Sequence, residues 1–305
     1  MTYDEDYRYA LALNSLEGLS VGDAFGEGFF TAEDVLEEML ITRTIPAPIW
    51  RYTDDTQMTL SVVSGLRQFG VIEQNALAAS FAERYEYERG YGPSMHRLLA
   101  AIRDGESWQD VAAAQFGGQG SYGNGAAMRA APIGAYFADD MAKVVEQSAL
   151  ASVVTHAHPE AIAGAIAVSV AAALASRLNN GNRTEAGADF LEAIVAYVPD
   201  SQVRARLIRA CGMLDASVRF AVTALGNGVQ LSAHDTVPFA LWCASQNLFN
   251  YEDALWLAVN GLGDRDTICA IVGGIVVLSA GVESIPATWK ASREPFPDWL
   301  QTLLQ

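Results

Sequence analysis

Two short acidic motifs are the parts of this sequence best suited to chemistry. They are Thr53-Asp54-Asp55-Thr56 and, far downstream, Asp264-Arg265-Asp266-Thr267. Each opens an apolar stretch, where one threonine or aspartate can cap a helix and complement its dipole. Each motif supplies more carboxylate and hydroxyl oxygens than a cap needs. Hard oxygen ligands of this kind suit Mg²⁺, Mn²⁺ or Ca²⁺.

The spacing of the acids indicates how they could act together. Asp264 and Asp266 alternate along a loop, so their side chains point to one side. An EF-hand would need further ligands and a glycine downstream, but the chain continues into an apolar run from Ile268. If the two helix starts meet in the fold, four carboxylates and two hydroxyls could hold two divalent ions. Such a pair can orient a substrate and activate a water.

A glycine-rich loop, residues 117–129, is a third candidate for chemistry. It contains Gly-x-Gly-x-x-Gly at Gly118, Gly120 and Gly123, but the preceding Trp108–Phe116 is predicted to be helical, where a dinucleotide-binding fold would have a strand. A flexible turn is one reading of the loop. The alternative is a nest of backbone amides for a pyrophosphate.

Two further polar segments could line the same site. His156 and His158 precede an alanine-rich helix without a third soft ligand for zinc, so His156 is either a buried polar residue or a ligand contact. The small residues of Gly22-Asp23-Ala24-Phe25-Gly26 would let a helix end pack closely against a site, with Asp23 supporting it from behind. The sequence contains no Gly-x-Ser-x-Gly nucleophile elbow.

Helical periodicity dominates the elements that must position these residues. Apolar residues recur at three- and four-residue intervals, and strict alternation of β-branched residues is missing. We therefore predict an all-α fold, a compact single-domain bundle of roughly a dozen helices over residues 1–305. The longest irregular stretch is predicted at Thr42–Tyr52. The predicted helical segments begin near Tyr9 and continue through Gln57–Phe69, Ala76–Tyr87, Met95–Ile102, Met141–Val154, Ala161–Leu178, Phe190–Tyr197, Val203–Leu214, Val237–Ala244, Ala254–Val259 and Ile268–Ala280.

Composition narrows the class of protein. The chain is 51% hydrophobic and carries a net charge of −17, which disfavours nonspecific nucleic-acid binding. The apolar run Ala161–Leu174 is too short to span a bilayer, and the acidic N-terminus does not resemble a secretory signal. Three separated cysteines among apolar neighbours are expected to be reduced. We expect a cytoplasmic monomer with no membrane association.

Taken in order, these motifs resemble the ADP-ribosylglycohydrolase family, which includes the hydrolase that reactivates dinitrogenase reductase. The resemblance runs from Gly18 to Gly281. It is carried by the opening Gly22–Gly26 motif, the two acidic motifs, the Ser121–Arg129 loop and the Thr155–Pro159 segment. Each motif alone is weak, whereas the ordered set is specific.

The resemblance implies a binuclear Mg²⁺ or Mn²⁺ site that hydrolyses the glycosidic bond at ribose C1″ of an ADP-ribose conjugate, arginine-linked first of all. The distal ribose would lie over the metals and the pyrophosphate along the glycine loop, with His156 near the adenosine. The implied metal ligands are Thr53, Asp54, Asp55, Asp264, Asp266 and Thr267. The expected ligand contacts are Asp23, Ser121, Tyr122, Gly123, Asn124, Gly125, Met128 and His156. The implied catalytic carboxylates are Asp54 and Asp55, which would activate water, and Glu27.

Two positions depart from the family pattern. Many members carry a glutamate where this chain has Phe30, so Glu27, the nearest acid, could substitute for it. Arg265 stands between two acids where the family often has a small or uncharged residue, and it could pair with an acid or contact a phosphate. The alternative function is an ADP-ribose-binding or immunity-type protein with weak or no catalysis. In a third interpretation the acids are only helix caps.

Overall fold

The computed structural model describes residues 2–179 and 188–301. Within these residues the chain forms seventeen α-helices, three short 3₁₀ turns and two isolated β-bridges, and no β-strand. The all-α prediction is confirmed. The predicted domain, residues 1–305, includes positions outside the described residues. The helices are α1 Glu5–Glu27, α2 Glu33–Thr42, α3 Asp54–Phe69, α4 Gln74–Glu83, α5 Pro93–Arg103, α6 Trp108–Gly118, α7 Ala131–Tyr136, α8 Met141–Val153, α9 Pro159–Asn179, α10 Ala188–Val195, α11 Gln202–Cys211, α12 Val218–Leu225, α13 Ala233–Gln246, α14 Tyr251–Val259, α15 Arg265–Ala280, α16 Ala287–Ser292 and α17 Asp298–Gln301.

Helix boundaries differ from the prediction mainly at the candidate motifs. Helix α3 begins at Asp54 and α15 at Arg265, earlier than the apolar periodicity alone indicated. The polar first turns carry no apolar periodicity, so the pattern could not reveal them. Helix α2 lies where no helix was predicted and has no fully buried residue. Its apolar face is short, and Leu36, Met39 and Leu40 pack only partly buried against the core.

Helices α1 and α15 form the closest helix pair around the site, and they are antiparallel. Gly18, Gly22 and Gly26 of α1 face the backbone of Gly273, Cys269 and Arg265 of α15, and a Cβ at any of the three would overlap a carbonyl oxygen there. Glycine therefore sets the separation of the two helix axes. Because the helices are antiparallel, the C-terminal end of α1 meets the N-terminal end of α15.

An aromatic cluster fixes the C-terminal half of α1. The ring of Phe25 stacks on Trp289 of α16 with centroids 4.3 Å apart, and it meets Trp256 of α14 edge-on at 5.2 Å. Trp50, in the irregular segment before α3, lies 5.7 Å away. Buried aromatic rings contribute large apolar area and preferred geometries. The cluster therefore holds α1 against segments from both ends of the chain.

Helix α9 is long and apolar enough to cross a membrane by length and composition alone, over Pro159–Leu178. Of its most apolar window, 83% is buried inside the protein. This burial agrees with the prediction of a core helix for the alanine-rich run, since its side chains already face protein neighbours on all sides.

Candidate active site

Asp23 is the buried anchor of the first acidic motif. Its carboxylate accepts hydrogen bonds from the amides of Thr53 and Thr56, at 3.0 and 3.1 Å, and from both of their hydroxyls, at 2.9 and 2.5 Å. The side chain is fully buried. The start of α3 is thus tied to α1 by a carboxylate.

Capping accounts for only part of the first motif. Thr53 is the N-cap of α3, and its hydroxyl accepts from the Asp55 amide at 3.3 Å. Gln57 does not close a capping box, since its side-chain oxygen instead accepts from the Glu86 amide and the Tyr91 hydroxyl. The carboxylates of Asp54 and Asp55 are therefore in excess of what the helix end uses.

The second motif is placed beside the first. Asp264 is the N-cap of α15 without a side-chain capping bond, and its carboxylate instead accepts from the Asn124 side chain at 2.5 Å. The Thr267 hydroxyl lies 3.3 Å from the Asp55 carboxylate. One oxygen of Asp266 is buried and has no hydrogen-bond partner among the described residues. The two helix starts meet, as the sequence suggested.

Burial and like charge dominate the electrostatics of this cluster. Burial, together with repulsion from Asp266 and other neighbouring acids, raises the pKa of Asp54, Asp55 and Asp264 well above the usual carboxylate range. Burial also raises the pKa of Asp23 to about 7, against the hydrogen bonds from Thr56 and Thr53. Crowded carboxylates gain stability from any cation placed among them.

The donor set fits divalent cations. It offers carboxylate and hydroxyl oxygens alone, the ligands of Mg²⁺ and Mn²⁺, and the buried, unpartnered oxygen of Asp266 is available to a cation. In residues 2–179 and 188–301, no three acidic, histidine or cysteine side chains stand ready-made around one point. The side chains hydrogen-bond to one another instead, as the Thr53 hydroxyl does to Asp55 at 3.0 Å. Rotation of these side chains would turn their oxygens toward ions.

Hydrogen bonds within the glycine-rich loop and to the segment before α13 hold the loop in place. The Asn124 amide donates to the Leu231 carbonyl at 3.1 Å, and the Gly123 amide donates to the Ser121 hydroxyl at 3.2 Å. Because these two amides already donate within the protein, fewer backbone amides are available to a pyrophosphate than the loop's composition implied. The Asn124 side chain bridges Thr236, at 3.0 Å, to Asp264. The loop and the acidic cluster are therefore directly connected.

His156 lies directly behind the loop. Its ring nitrogen Nε2 is close enough that a Cβ at Gly123 or Gly125 would come within 3.2 or 3.0 Å of it. The side chain is almost fully buried, and burial together with the nearby Arg129 lowers its pKa to about 3. His156 is therefore a neutral side chain beside the loop that was predicted to hold a pyrophosphate.

One cleft collects most of the predicted residues. Its volume is about 400 Å³, within the range of small-molecule sites. A second cavity of about 440 Å³, here called the adjoining cavity, shares Gly90, Leu231, Asp264 and Asp266 with it. Asp23 and Asp55 lie buried beneath, and Thr53 and Glu27 face the adjoining cavity. The predicted residues in the cleft wall are Asp54, Ser121, Tyr122, Gly123, Asn124, Gly125, Met128, His156, Asp264, Asp266 and Thr267.

Sequence reasoning missed several cleft residues. Phe116 and Leu231 are more than half exposed and have positive φ angles of 50° and 52°, a conformation that non-glycine residues rarely adopt. Phe116 lies at the distorted end of α6, where a regular helix was predicted, and Leu231 lies in a loop before α13. An isolated apolar residue in a loop carries no periodic signal. Only the fold identifies these two as cleft residues.

The two departures from the family pattern contact each other. The Arg265 guanidinium lies over the Phe30 ring, 4.3 Å from its centroid. Glu27 faces the adjoining cavity, whose walls partly desolvate it. This desolvation, followed by repulsion from Asp266, raises the pKa of Glu27 to about 7 against the opposing charges of Arg265 and Arg51. A carboxyl whose pKa is raised toward neutrality therefore stands close to Phe30.

Comparison with known proteins agrees with this geometry. The sequence pattern of the ADP-ribosylglycohydrolase family matches residues 4–305. The chain is 28% identical to ADP-ribosylhydrolase ARH3 of Danio rerio, with 92% of this chain and 85% of that protein covered. It is 29% identical to ADP-ribosylhydrolase ARH3 of Homo sapiens, with 93% and 89% covered.

A solved structure described as an ADP-ribosylglycohydrolase-related protein complex shares the fold. Its TM-score is 0.67 at 21% identity, over 98% of this chain and 96% of that one. The all-α architecture, the paired acidic helix starts and the glycine loop define a glycohydrolase-type fold. The chain belongs to the ADP-ribosylglycohydrolase family.

Proposed function

We propose that this protein is a metal-dependent hydrolase that cleaves the glycosidic bond at ribose C1″ of an ADP-ribosylated target and releases ADP-ribose. One observation carries the proposal. The wall of a single cleft holds carboxylates from both acidic motifs together with the glycine loop and His156. The names of the ARH3 relatives, ADP-ribosylhydrolases, support the same reaction class.

Two divalent cations, Mg²⁺ or Mn²⁺, would be held by the oxygen donors of the two acidic motifs. When bound, they would fix the ribose hydroxyls and make water a better nucleophile. The proposed ligands are Thr53, Asp54, Asp55, Asp264, Asp266 and Thr267.

The geometry supports different roles for the two adjacent aspartates. Asp54 faces the cleft, whereas Asp55 is only 1% exposed and hydrogen-bonds the hydroxyls of Thr53 and Thr267. Asp54 is therefore the better candidate to accept the proton of the attacking water. Asp55 is the better candidate to hold the two helix starts together.

The proposed reaction uses one general base and one general acid. The water oxygen bonds to C1″ as the bond from C1″ to the acceptor nitrogen or oxygen breaks, and Asp54 takes the water's proton. The protonated Glu27 carboxyl gives a proton to the departing acceptor. The positive charge that develops on the ribose is stabilised by the surrounding carboxylates.

The adjoining cavity favours an arginine-linked acceptor as the first to test. Glu88 faces it, and a carboxylate matches a guanidinium in charge and shape. The positive charge of Arg89, in the same wall, is already matched by ion pairs with Glu86 and Glu294. Arg51, in the same wall, would repel an arginine acceptor.

Release of ADP-ribose from ADP-ribosyl-arginine tests the proposal, measured with Mg²⁺ or Mn²⁺ and then with a chelator. Cation-dependent release is the expected result. No release from arginine-, serine- or nucleobase-linked substrates under any of these conditions would overturn the hydrolase assignment.

A second candidate, an ADP-ribose-binding protein with little catalysis, is favoured by one observation. Phe30, where many family members carry a glutamate, is about half exposed and is stacked against Arg265 instead of offering an acid. Calorimetric binding of ADP-ribose without turnover would select this candidate.

A further inference from the structure

Arg129, at the end of the glycine-rich loop, is a fully buried arginine. Arg129 is 1% exposed, and no carboxylate lies within ion-pair distance of it in the described part of the chain. A buried cation without a direct ion pair needs other partners, and the Phe81 ring, 4.6 Å from the guanidinium carbon, is one of them. Filling volume alone would be done better by an apolar side chain.

The Arg129 guanidinium joins three segments around the cleft. It donates to the Gly125 carbonyl of the glycine loop at 2.9 Å and to the Ala151 carbonyl in the last turn of α8 at 3.2 Å. It also donates to the Thr155 hydroxyl, just before α9, at 2.8 Å. The loop is thereby held at a fixed distance from the residues that lead into α9.

The Thr155 hydroxyl links Arg129 to the ring of His156. Thr155 is fully buried, and its oxygen already accepts from Arg129. Its second contact is Nδ1 of His156, at 2.7 Å. If Nδ1 carried the proton, the hydroxyl would accept twice, and its own proton would be buried without an acceptor. The hydroxyl therefore donates, and Nδ1 accepts.

The other ring nitrogen of His156 consequently carries the proton. No hydrogen bond among residues 2–179 and 188–301 uses Nε2, and His156 forms part of the cleft wall. Nε2 lies against Gly123 and Gly125, where any side chain would crowd the ring. The Nε2–H group is thus a donor kept accessible by two glycines.

We propose that Arg129 and Thr155 are positioning residues that hold His156 as the Nε2–H tautomer, so that its ring donates a hydrogen bond to a phosphate oxygen of the ligand. The identity of the ligand rests on the proposed function. The sequence analysis expected His156 near the adenosine, whereas its ring lies beside the loop predicted to hold the pyrophosphate.

The tautomer itself can be measured without a ligand. The chain has only four histidines, so ring ¹⁵N spectra are simple, and His156→Gln assigns the signals. We expect a protonated Nε2 and an unprotonated Nδ1 in the wild-type protein. Thr155→Val should shift the ring toward the other tautomer, and Thr155→Ser should restore it. A wild-type ring protonated at Nδ1, or a Thr155→Val spectrum unchanged from wild type, would overturn the proposal.

Binding of ADP-ribose, measured by calorimetry, gives an independent readout. A glutamine amide can occupy the position of Nε2 and an asparagine amide that of Nδ1, so His156→Gln should bind about tenfold more tightly than His156→Asn. Thr155→Val should also lose about tenfold in affinity. Thr223→Val is the matched control, since Thr223 is exposed and hydrogen-bonds only its own helix. If Thr155→Val does not fold, the comparison of His156→Gln with His156→Asn decides the proposal. Equal affinities of these two variants for ADP-ribose would contradict it.

Failure of the proposed function would be distinguishable. If the wild-type protein binds no ADP-ribose, the proposed function fails, and the ligand-free tautomer measurement alone decides the positioning role of Thr155.

Discussion

Gly22 of α1 stands so close to the Cys269 carbonyl of α15 that a Cβ on Gly22 would overlap it. The neighbouring residues Asp23 and Asp266 belong to the carboxylate cluster, so this approach of two backbones also sets the size of the site. The same contact recurs one turn away at Gly26 and Arg265. The spacing of the two helix ends that carry the acidic cluster is therefore set by glycines, which have no side chain.

Gly22→Ala should destabilise the fold and separate the two helices, because an overpacked contact costs ~1–3 kcal/mol. Gly65→Ala is the matched control. Gly65 lies inside α3 with nothing within 4 Å of an added Cβ, so it should gain ~0.5–1 kcal/mol from better helix propensity. Urea denaturation measures both. Equal effects of the two substitutions would show that the α1–α15 contact is looser than described.

Divalent cations should raise the melting temperature. A ligand that binds only the folded state adds about 2.7 kcal/mol at a concentration 100 times its Kd. The crowded carboxylates should also be relieved of repulsion. Differential scanning calorimetry with Mg²⁺ or Mn²⁺, repeated after chelation, tests this. A melting temperature indifferent to both cations would favour acids that serve only as helix caps.

Asp266→Asn should abolish that stabilisation and lower kcat/KM by roughly a hundredfold or more, because it removes a charged oxygen donor from the cluster. Asp215→Ala is the control, because Asp215 is exposed. Wild-type cation binding by the Asp266 variant would refute the proposed ligand set.

Glu27→Gln should lower kcat by ~10²–10⁴ with little change in KM, because the amide cannot donate an acidic proton to the departing acceptor. Glu88→Gln is the control in the same cavity wall and should act mainly on KM for a cationic acceptor. Steady-state kinetics on ADP-ribosyl-arginine separates the two effects. Full activity of Glu27→Gln would assign the proton donor elsewhere.

Asp139 should stabilise the fold in a pH-dependent way. Burial opposes its charge, but hydrogen bonds from Arg8, at 2.7 Å, and from the Tyr3 amide, at 2.9 Å, outweigh burial and lower its pKa. Its stabilisation is therefore present above the unfolded-state pKa of ~3.9 and is lost as pH falls through the lower folded-state value. Asp139→Asn should cost ~1–3 kcal/mol at pH 7 and less near pH 3.

The comparison that checks this is urea denaturation of wild type and Asp139→Asn across pH 3–7. The difference between the two proteins cancels the other titrating groups. A difference that grows on acidification would contradict the assigned direction of the Asp139 pKa.

The sequence by itself determined the helical class, the core character of α9 and the candidate motifs. Amphipathic periodicity and glycine placement are local properties, so they can be read from neighbouring residues. The motif at Asp54 and Asp55 drew notice because its acids exceed what a helix cap requires. No tertiary information was needed to see that excess.

Only the tertiary structure decided which of these residues meet. Asp55 and Thr267 are 212 positions apart in the chain and hydrogen-bond to each other, an approach that depends on how α1 and α15 pack. The Arg129–Thr155–His156 arrangement was hidden for the same reason, since nothing local marks Arg129 as fully buried. Phe116 and Leu231 became cleft residues through loop geometry without a periodic pattern. Long-range packing brings these groups together, and no local stretch of sequence shows which distant residues will pack against it.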